Sequence, residues 1–265
     1  MKKISIVTPC YNEEDNVEEL YLKVKNQFEQ LPQYCYEHIF IDGFSTDGTV
    51  DIIKEYQKNH LDNVKFFQLP PRGIGNAMNA GTKIASGEYL IHLHSDDSFF
   101  DIDVLNDVSD YLNNNKELDW LYGKIKIVEK DDSFFGIFPK RLLFQNDYKK
   151  WWGRYFLKFY NFIPQQATFI KKTVFEKFGF FDEEISSIME YEFWLRIRNE
   201  TKWSFYNRII SNYRIHEEAD SSSFKNRKRN SKNYQFIQER YLKIWEKPIA
   251  YIFNLIIKLR NKSYR

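Results

Sequence analysis

Short apolar runs alternate with amphipathic stretches over the first hundred residues. The runs predict strands at 4–9, 38–41, 64–69 and 89–93. The stretches between them carry apolar residues at helical spacing and predict helices over 17–28, 50–59 and 74–85. Strands that alternate with helices at such intervals are typical of βαβ units with a parallel sheet, so the pattern predicts an α/β fold.

The pattern is less regular in the second half of the chain. It predicts a helix over 101–115, a strand over 120–128 and a helix that opens near Met189. Residues 129–163 hold many aromatic residues among lysines and arginines. The alternatives for this region are a local core under a long loop, an acceptor cleft, or a surface that dips into lipid headgroups.

Length and charge indicate one domain with an appendage. A chain of 265 residues can bury a sizeable core, and we expect a domain over 1–224 and a basic amphipathic helical tail over 225–265. The net charge is +2, yet the tail holds twelve Lys or Arg and only two acidic residues. A basic tail favours an anionic partner, and its alternation of basic with long aliphatic residues favours membrane over nucleic acid.

The apolar residues of the tail leave two structural interpretations open. One is a helical pair that packs on the domain or on a second subunit of a homo-oligomer; the other is an in-plane membrane helix within 233–265. No apolar run reaches the roughly 20 residues of a membrane-spanning helix. Cys10 and Cys35 lack metal-ligand spacing and no signal sequence is recognisable, so we expect a cytoplasmic protein, peripheral at the inner face of the membrane.

Acidic side chains follow three of the predicted strands. Glu13 lies just beyond the first strand, Asp42 follows the second, and Asp96 and Asp97 follow the fourth. The carboxyl ends of parallel strands meet at one edge of a sheet, where ligands bind. Adjacent carboxylates there favour a hard divalent ion shared with a diphosphate. The alternative is that these residues only form turns and helix caps, positions that Asp also favours.

Four motifs narrow the choice: TPCYNEEDN, IDGFSTDGT, RGIGNAMNAG and GEYLIHLHSDD. Each motif is weak alone, but their order and spacing resemble family 2 glycosyltransferases of the GT-A fold, especially the bacterial polysaccharide-biosynthesis branch. The resemblance implies a single Rossmann-like, mostly parallel sheet flanked by helices. It further implies a nucleotide-sugar-binding half over 1–100 and an acceptor-binding half over 101–224.

The same resemblance implies which residues bind the nucleotide sugar. The residues that would line the nucleoside are Thr8, Pro9, Tyr11 and Glu13. Those that would contact the base, the phosphates, or the ribose or sugar are Asp42, Arg72, Asn79 and Asp96. The chain departs from the family pattern at Phe44, where Gly is frequent, and at Gln165, where His is frequent; Gly75 and Asn76 replace a frequent Tyr-Asp pair.

Metal and catalytic roles are implied in the same way. Asp97 of the DXD-type motif would be the main ligand of Mn²⁺ or Mg²⁺, and His216 would be a second ligand or a phosphate contact. Glu190, in the motif MEYEFWLR, stands where the family has its catalytic base. An inverting transfer needs one carboxylate to take the proton of the acceptor hydroxyl. Glu192 is the second choice, because residues two apart on a helix do not share a face.

Together these features predict a metal-dependent, inverting hexosyl- or N-acetylhexosaminyltransferase. The donor would be a UDP-sugar, and the acceptor a glycan or lipid-linked saccharide of the bacterial cell envelope. One alternative is a nucleotidyltransferase, but the residues after the first strand lack the Gly-rich basic loop that such enzymes use. Another is a catalytically inactive homologue, or a binding protein that uses the basic tail, although the acids at 42, 96, 97 and 190 are all retained.

Overall fold

The computed structural model describes residues 4–29, 36–60, 63–140, 145–215 and 227–252. The strands are β1 (Ile4–Cys10), β2 (Tyr36–Asp42), β3 (Val64–Gln68), β4 (Tyr89–His92), β5 (Ser98–Phe99), β6 (Trp120–Val128), β7 (Phe134–Phe138), β8 (Thr168–Lys171) and β9 (Trp203–Arg214). The helices are α1 (Val17–Glu29), α2 (Thr49–Asn59), α3 (Ile74–Ile84), α4 (Val104–Asn114), α5 (Trp151–Phe156), α6 (Lys172–Phe178), α7 (Met189–Ile197) and α8 (Arg227–Tyr241).

All nine strands join one sheet in the order β3-β2-β1-β4-β8-β6-β9-β5, with β7 paired to β6. The first four strands pair in parallel, as predicted. The second half is mixed, because β8 runs antiparallel to both β4 and β6, and β5 and β7 are also antiparallel to their partners. In that half β6 and β9 pair in parallel, so the sheet is parallel throughout its first half and mixed in its second. Hydrophobic periodicity shows where a strand lies but not the direction of its partner.

Alternate residues of the parallel strands face two different helical layers. Val7 and Ile41 pack with α3 and α7 on one face, whereas Ile6 and Ile91 pack with α1 and α4 on the other. Helix α3 lies very close to β1 at Gly81, where a Cβ atom would be 2.3 Å from Val7 Cγ1. The strands are thus covered on both sides, which leaves their carboxyl ends as the accessible edge.

The aromatic region 129–163 divides between core and surface. Phe159 and Phe162 are buried, whereas Phe134, Phe135 and Trp151 are 63%, 59% and 73% exposed. The expectation of a local core is therefore met for part of the region only. The predicted helix over 101–115 begins at Val104 instead, because Ser98 and Phe99 first form β5 against β9.

Helix α8 packs against the domain. The Tyr234 ring stacks on Tyr191 with centroids 5.1 Å apart, and its hydroxyl donates to the Phe159 carbonyl at 2.8 Å. Ile237 is completely buried. Of the two interpretations of the tail, packing on the domain is the one observed for α8. None of the helices in the described part of the chain combines the length and hydrophobicity needed to cross a bilayer.

Truncation of Ile237 tests this packing against a neighbour on the same helix. We expect Ile237→Ala to lower the free energy of unfolding by about 2–4 kcal/mol, because it leaves a cavity beneath α8. Phe236→Ala, at a side chain 46% exposed, should change it by about 0.5 kcal/mol or less. Urea unfolding followed by fluorescence measures both values. Equal effects would show that α8 does not pack on the domain.

Candidate active site

A cleft of about 340 Å³ opens at the carboxyl ends of β1, β2 and β4. This volume is within the range of small-molecule sites, about 300–1,000 Å³. Helix α3 closes one side with Gly73 and Ile74 at its start. The predicted donor-binding residues that line the cleft are Pro9, Tyr11, Glu13, Asp42, Arg72 and Asp96.

Two loops at the cleft, after β1 and after β2, are bonded to each other. The Asn12 side-chain oxygen accepts from the Thr46 N–H at 2.9 Å, and the Glu13 N–H donates to the Thr49 hydroxyl at 2.7 Å. A third bond runs from the Gly48 N–H to the Glu14 carboxylate at 2.7 Å. Because the two loops hold each other, the cleft wall is formed before any ligand binds.

Asp42 connects this wall to the sheet. Its carboxylate is completely buried and accepts from the Ser45 N–H at 3.0 Å and the Gln68 amide at 3.0 Å, and also from the Ser45 hydroxyl. A carboxylate has about four acceptor positions. Asp42 therefore has capacity for one further donor from the cleft, which is compatible with its predicted contact to a base.

Tyr11 and Arg72 lie exposed at the mouth of the cleft. The Tyr11 ring is 56% exposed and lies beside Gly43, where a Cβ atom would be 3.2 Å from Tyr11 Cδ2. The absence of a side chain at 43 thus leaves room for the ring. An exposed aromatic ring and a guanidinium in one cleft provide a stacking surface and a positive charge, which suit a base and its phosphates.

Thr8 and Asn79 lie behind the cleft and do not line it. The Thr8 hydroxyl is 2.9 Å from His38 Nε2, and Asn79 donates to the Phe181 carbonyl and to Glu183 at 2.9 Å each. Both side chains are buried. Their position does not support the expected contact with the donor, because their hydrogen bonds are made to the framework.

His94, Asp96 and Asp97 form a cluster whose ligand atoms lie within 4.8 Å of one another. Asp97 is 3% exposed, and its Oδ1 accepts from the Arg214 N–H at 3.3 Å. Its Oδ2 is buried and accepts no hydrogen bond from the described residues. Burial and the Asp96 carboxylate raise the pKa of Asp97 well above its usual range.

The donor atoms of this cluster fit a divalent cation. The two carboxylates supply the oxygen ligands that Mn²⁺ and Mg²⁺ prefer, and a buried carboxylate oxygen without a hydrogen-bond donor favours a cation beside it. His216, the other predicted ligand, lies outside the described residues.

Glu190 lies in the first turn of α7, after Ile188, which has a positive φ of 55°. Its Oε1 is 3.5 Å from the Asn161 amide nitrogen, the donor. Burial raises the pKa of Glu190 to about 7. The preceding Met189 lies against α3, since a Cβ atom at Gly75 would be 3.6 Å from Met189 Cε. Glu190 therefore lies close to the end of α3 that borders the cleft.

One short segment connects Glu190 with Asp97. Asn161 bonds to Glu190, and the Gln166 side chain is close enough to Asp97 to lower the pKa of that carboxyl. Five residues span at most about 18 Å. The backbone at Asn161 and at Gln166 is therefore at most that far apart, and this short segment links the surroundings of the two carboxylates.

Glu192 has a different environment from Glu190. It is 2% exposed and forms an ion pair with Arg196 at 2.5 Å, and it also accepts from the Tyr241 hydroxyl. Glu192 thus connects α7 to α8. Glu190 instead contacts Asn161. The sequence motifs assign no role to Asn161, Gln166 or Arg214.

Comparison with known proteins agrees with this geometry. Residues 5–177 match the profile of "Glycosyl transferase family 2". The chain is 40% identical over 97 residues to poly(ribitol-phosphate) beta-glucosyltransferase of Bacillus spizizenii, which covers 36% of this chain and 15% of the relative. It is 35% identical over 136 residues to a dolichyl N-acetyl-alpha-D-glucosaminyl phosphate 3-beta-D-2,3-diacetamido-2,3-dideoxy-beta-D-glucuronosyltransferase of Methanococcus voltae, covering 49% of this chain and 40% of the relative. The chain thus spans less than half the length of these two relatives.

Solved structures share the fold. S. aureus TarS 1–349 in complex with UDP-GlcNAc has a TM-score of 0.63 at 20% identity, over 84% of this chain and 61% of that one. The mannosyltransferase PcManGT of Pyrobaculum calidifontis, in complex with GDP-Man and Mn²⁺, has a TM-score of 0.64 at 15% identity, over 94% and 68% of the two chains. These likenesses show the GT-A fold. The family match covers more than half of the chain, which therefore belongs to glycosyltransferase family 2.

Proposed function

We propose that this protein transfers a hexosyl or N-acetylhexosaminyl group from a UDP-sugar to a glycan or lipid-linked saccharide, with inversion and with a divalent metal ion. The observation that carries the proposal is a nucleotide-sized cleft that shares Asp96 with the His94-Asp96-Asp97 cluster and is bordered by the end of α3 against which Met189, next to Glu190, packs. UDP is the proposed nucleotide because S. aureus TarS binds UDP and UDP-GlcNAc.

The cleft would hold the nucleoside between Tyr11 and Asp42, with the Arg72 guanidinium toward the phosphates. Tyr11 offers an exposed ring and Asp42 one remaining acceptor position. Pro9 and Glu13 complete the wall. This arrangement leaves the sugar on the Asp96 side, which agrees with the role that the family resemblance implies for Asp96.

Asp96, Asp97 and His94 would hold the metal ion, with His216 as a further predicted ligand. These residues would hold Mn²⁺ or Mg²⁺, which would supply positive charge to stabilise the leaving diphosphate. The protein contributes the buried Asp97 carboxylate, which the Arg214 N–H orients through a bond at 3.3 Å. Because burial raises the free energy of the ionised Asp97, a bound cation would restore its charged form.

Glu190 would act as the general base. As the acceptor oxygen attacks C1 of the sugar, the hydroxyl proton passes to a carboxylate oxygen of Glu190, and the bond from C1 to the diphosphate oxygen breaks. Attack from the face opposite the diphosphate inverts the anomeric centre. Asn161 would orient the carboxylate through its amide, and a pKa of about 7 suits proton transfer near neutral pH.

The acceptor is proposed to belong to cell-envelope polysaccharide biosynthesis. Relatives in Mycobacterium are named PGL/p-HBAD biosynthesis glycosyltransferases, and the B. spizizenii relative is named for poly(ribitol-phosphate). We further propose that the protein works at the inner face of the membrane, with peripheral contact through residues 233–265. An exposed cluster of Ile, Trp and Tyr side chains within 244–252 supports this contact.

Asp97→Asn tests the metal site separately from the chemistry. With Mn²⁺ and a panel of UDP- and GDP-sugars, the unaltered protein should gain about 2–3 kcal/mol of stability at ligand concentrations near a hundred times Kd. Asp97→Asn should lose this metal-dependent gain, because the amide carries no negative charge. Thermal unfolding measures the effect, and Asp131→Asn, at an exposed acid, is the matched control. Absence of a shift with every nucleotide sugar would favour an inactive homologue.

Glu190→Gln should separate turnover from donor binding. We expect kcat to fall by a factor of about 10² or more, because the amide cannot accept the proton, while donor binding stays near normal. Glu192→Gln is the matched control: it should cost about 1–3 kcal/mol of stability through its weakened pair with Arg196, yet retain turnover at temperatures where it is folded. Equal loss of donor binding in the Asp97 and Glu190 variants would contradict this division of roles.

The pH dependence follows from the pKa of Glu190. The base must be deprotonated, so kcat/KM at saturating metal should rise with pH through about 7 and level off above it. Below this pKa the fall should approach about tenfold per pH unit. The residual activity of Glu190→Gln should no longer rise with pH through about 7. A profile that declines as pH rises from 6 to 8 would contradict Glu190 as the base.

A further inference from the structure

Six large apolar side chains on α5 and in residues 244–252 are exposed to solvent. We name this set the lipid-facing surface; its members are Trp151, Ile244, Trp245, Ile249, Tyr251 and Ile252. Trp151, Ile244 and Trp245 are 73%, 86% and 60% exposed. Clustered exposure of large apolar groups marks an interaction site, whereas scattered single residues do not.

Glu246 brings the two parts of this surface together. It is 1% exposed and accepts from Lys158 Nζ at 2.8 and 2.9 Å and from the Lys243 N–H at 2.8 Å, and it also bonds the Tyr155 side chain. The Tyr155 ring lies 6.5 Å from the Trp151 ring between centroids. The turn that exposes Ile244 and Trp245 is thus held beside the end of α5, and the Tyr155 ring connects it to Trp151 at the start of that helix.

The charge around the surface is basic. Lys149, Lys150, Lys243 and Lys247 are exposed at its border. Across residues 148–158 and 243–252 the only acid is Glu246, which is buried and paired with Lys158. Exposed Trp, Tyr and Ile beside lysines, with no exposed acid in these two segments, match the interfacial region of an anionic bilayer.

Helix α8 does not contribute its apolar residues to this surface. Tyr234 and Ile237 pack on the domain, so the apolar face that the sequence offers to a membrane is already covered along α8. Phe236 is the exposed large apolar side chain of α8. The members of the lipid-facing surface begin after α8, at Ile244, and the surface continues at Trp151 of α5. The contact surface is therefore composite, and its α5 part lies outside the tail.

We propose that the lipid-facing surface docks the protein on an anionic lipid bilayer. Asn161, which contacts Glu190, follows the end of α5 by five residues. Docking would hence hold the base near the bilayer, where a lipid-linked acceptor resides. That consequence rests on the proposed function, whereas the docking itself can be measured without turnover.

Vesicle sedimentation with the full chain tests the proposal. The protein should sediment with vesicles of phosphatidylcholine and phosphatidylglycerol, and much less with phosphatidylcholine alone. The variant Trp151→Ser, Ile244→Ser, Trp245→Ser should bind the anionic vesicles at least about tenfold less. Phe134→Ser with Phe135→Ser, which removes two exposed aromatic rings from β7, is the matched control and should bind within about twofold of the unaltered protein.

Two further measurements separate electrostatic attraction from other causes. Lys243→Gln with Lys247→Gln should weaken binding most at low salt, because exposed charges are screened as ionic strength rises. Trp151→Ser alone should also weaken binding; no effect of this substitution would overturn the composite surface. Thermal unfolding confirms that each variant is folded.

Other outcomes would overturn the proposal or bear on the proposed function alone. An equal loss of vesicle binding in the β7 control would overturn the proposal. It would also be overturned if the protein does not bind vesicles and light scattering shows a dimer that the triple substitution dissociates, because the surface would then be a subunit interface. If vesicle binding is found as expected but no nucleotide sugar stabilises the protein, the docking surface stands and the proposed function fails. If a nucleotide sugar stabilises the protein but no vesicle binding is found, the proposed function stands and the docking surface fails.

Discussion

The parallel pairing of β1 with β2 and β4 is the constraint on which the rest of this structure depends. It places Cys10 beside Asp42, and it brings the residues that follow β4 to the same edge of the sheet. Helices cover both faces of these strands, so ligands can approach only where the backbone leaves the sheet. The loops at this edge bond to each other, and the cleft is consequently a rigid feature of the fold.

Burial of carboxylates has different consequences in different parts of the molecule. Glu37 is buried at the opposite end of β2, and although burial raises its pKa, bonds from Lys65, Ser5 and Ser86 lower it to about 2. Glu192 has Arg196 as its partner. Asp97 and Glu190 form no ion pair with a described residue, and burial raises the pKa of both, although the Arg214 charge partly offsets this at Asp97. These two raised pKa values belong to the acids that are proposed to handle a cation and a proton.

The C-terminal extension packs directly on α7, the helix that carries the proposed base. Tyr234 stacks beside Glu190 on Tyr191, and Tyr241 bonds Glu192. The same extension then turns outward at Ile244, where Glu246 attaches it to α5. One continuous segment thus supports the helix that carries the proposed base and exposes apolar residues to the solvent. This arrangement connects the proposed chemistry with the proposed location of its acceptor.

The sequence by itself determined the βαβ order, the family, and the acids at 42, 96 and 97 that follow buried strands, because hydrophobic period and strand ends are local features. Tertiary structure decided the mixed second half of the sheet, the hydrogen bonds of Thr8 and Asn79 to the framework, and the separate environments of Glu190 and Glu192. It also decided that α8 packs inward while Ile244 and Trp245 face outward. Each of these depends on which surface a side chain meets across long sequence separations, and periodicity carries no information about that partner.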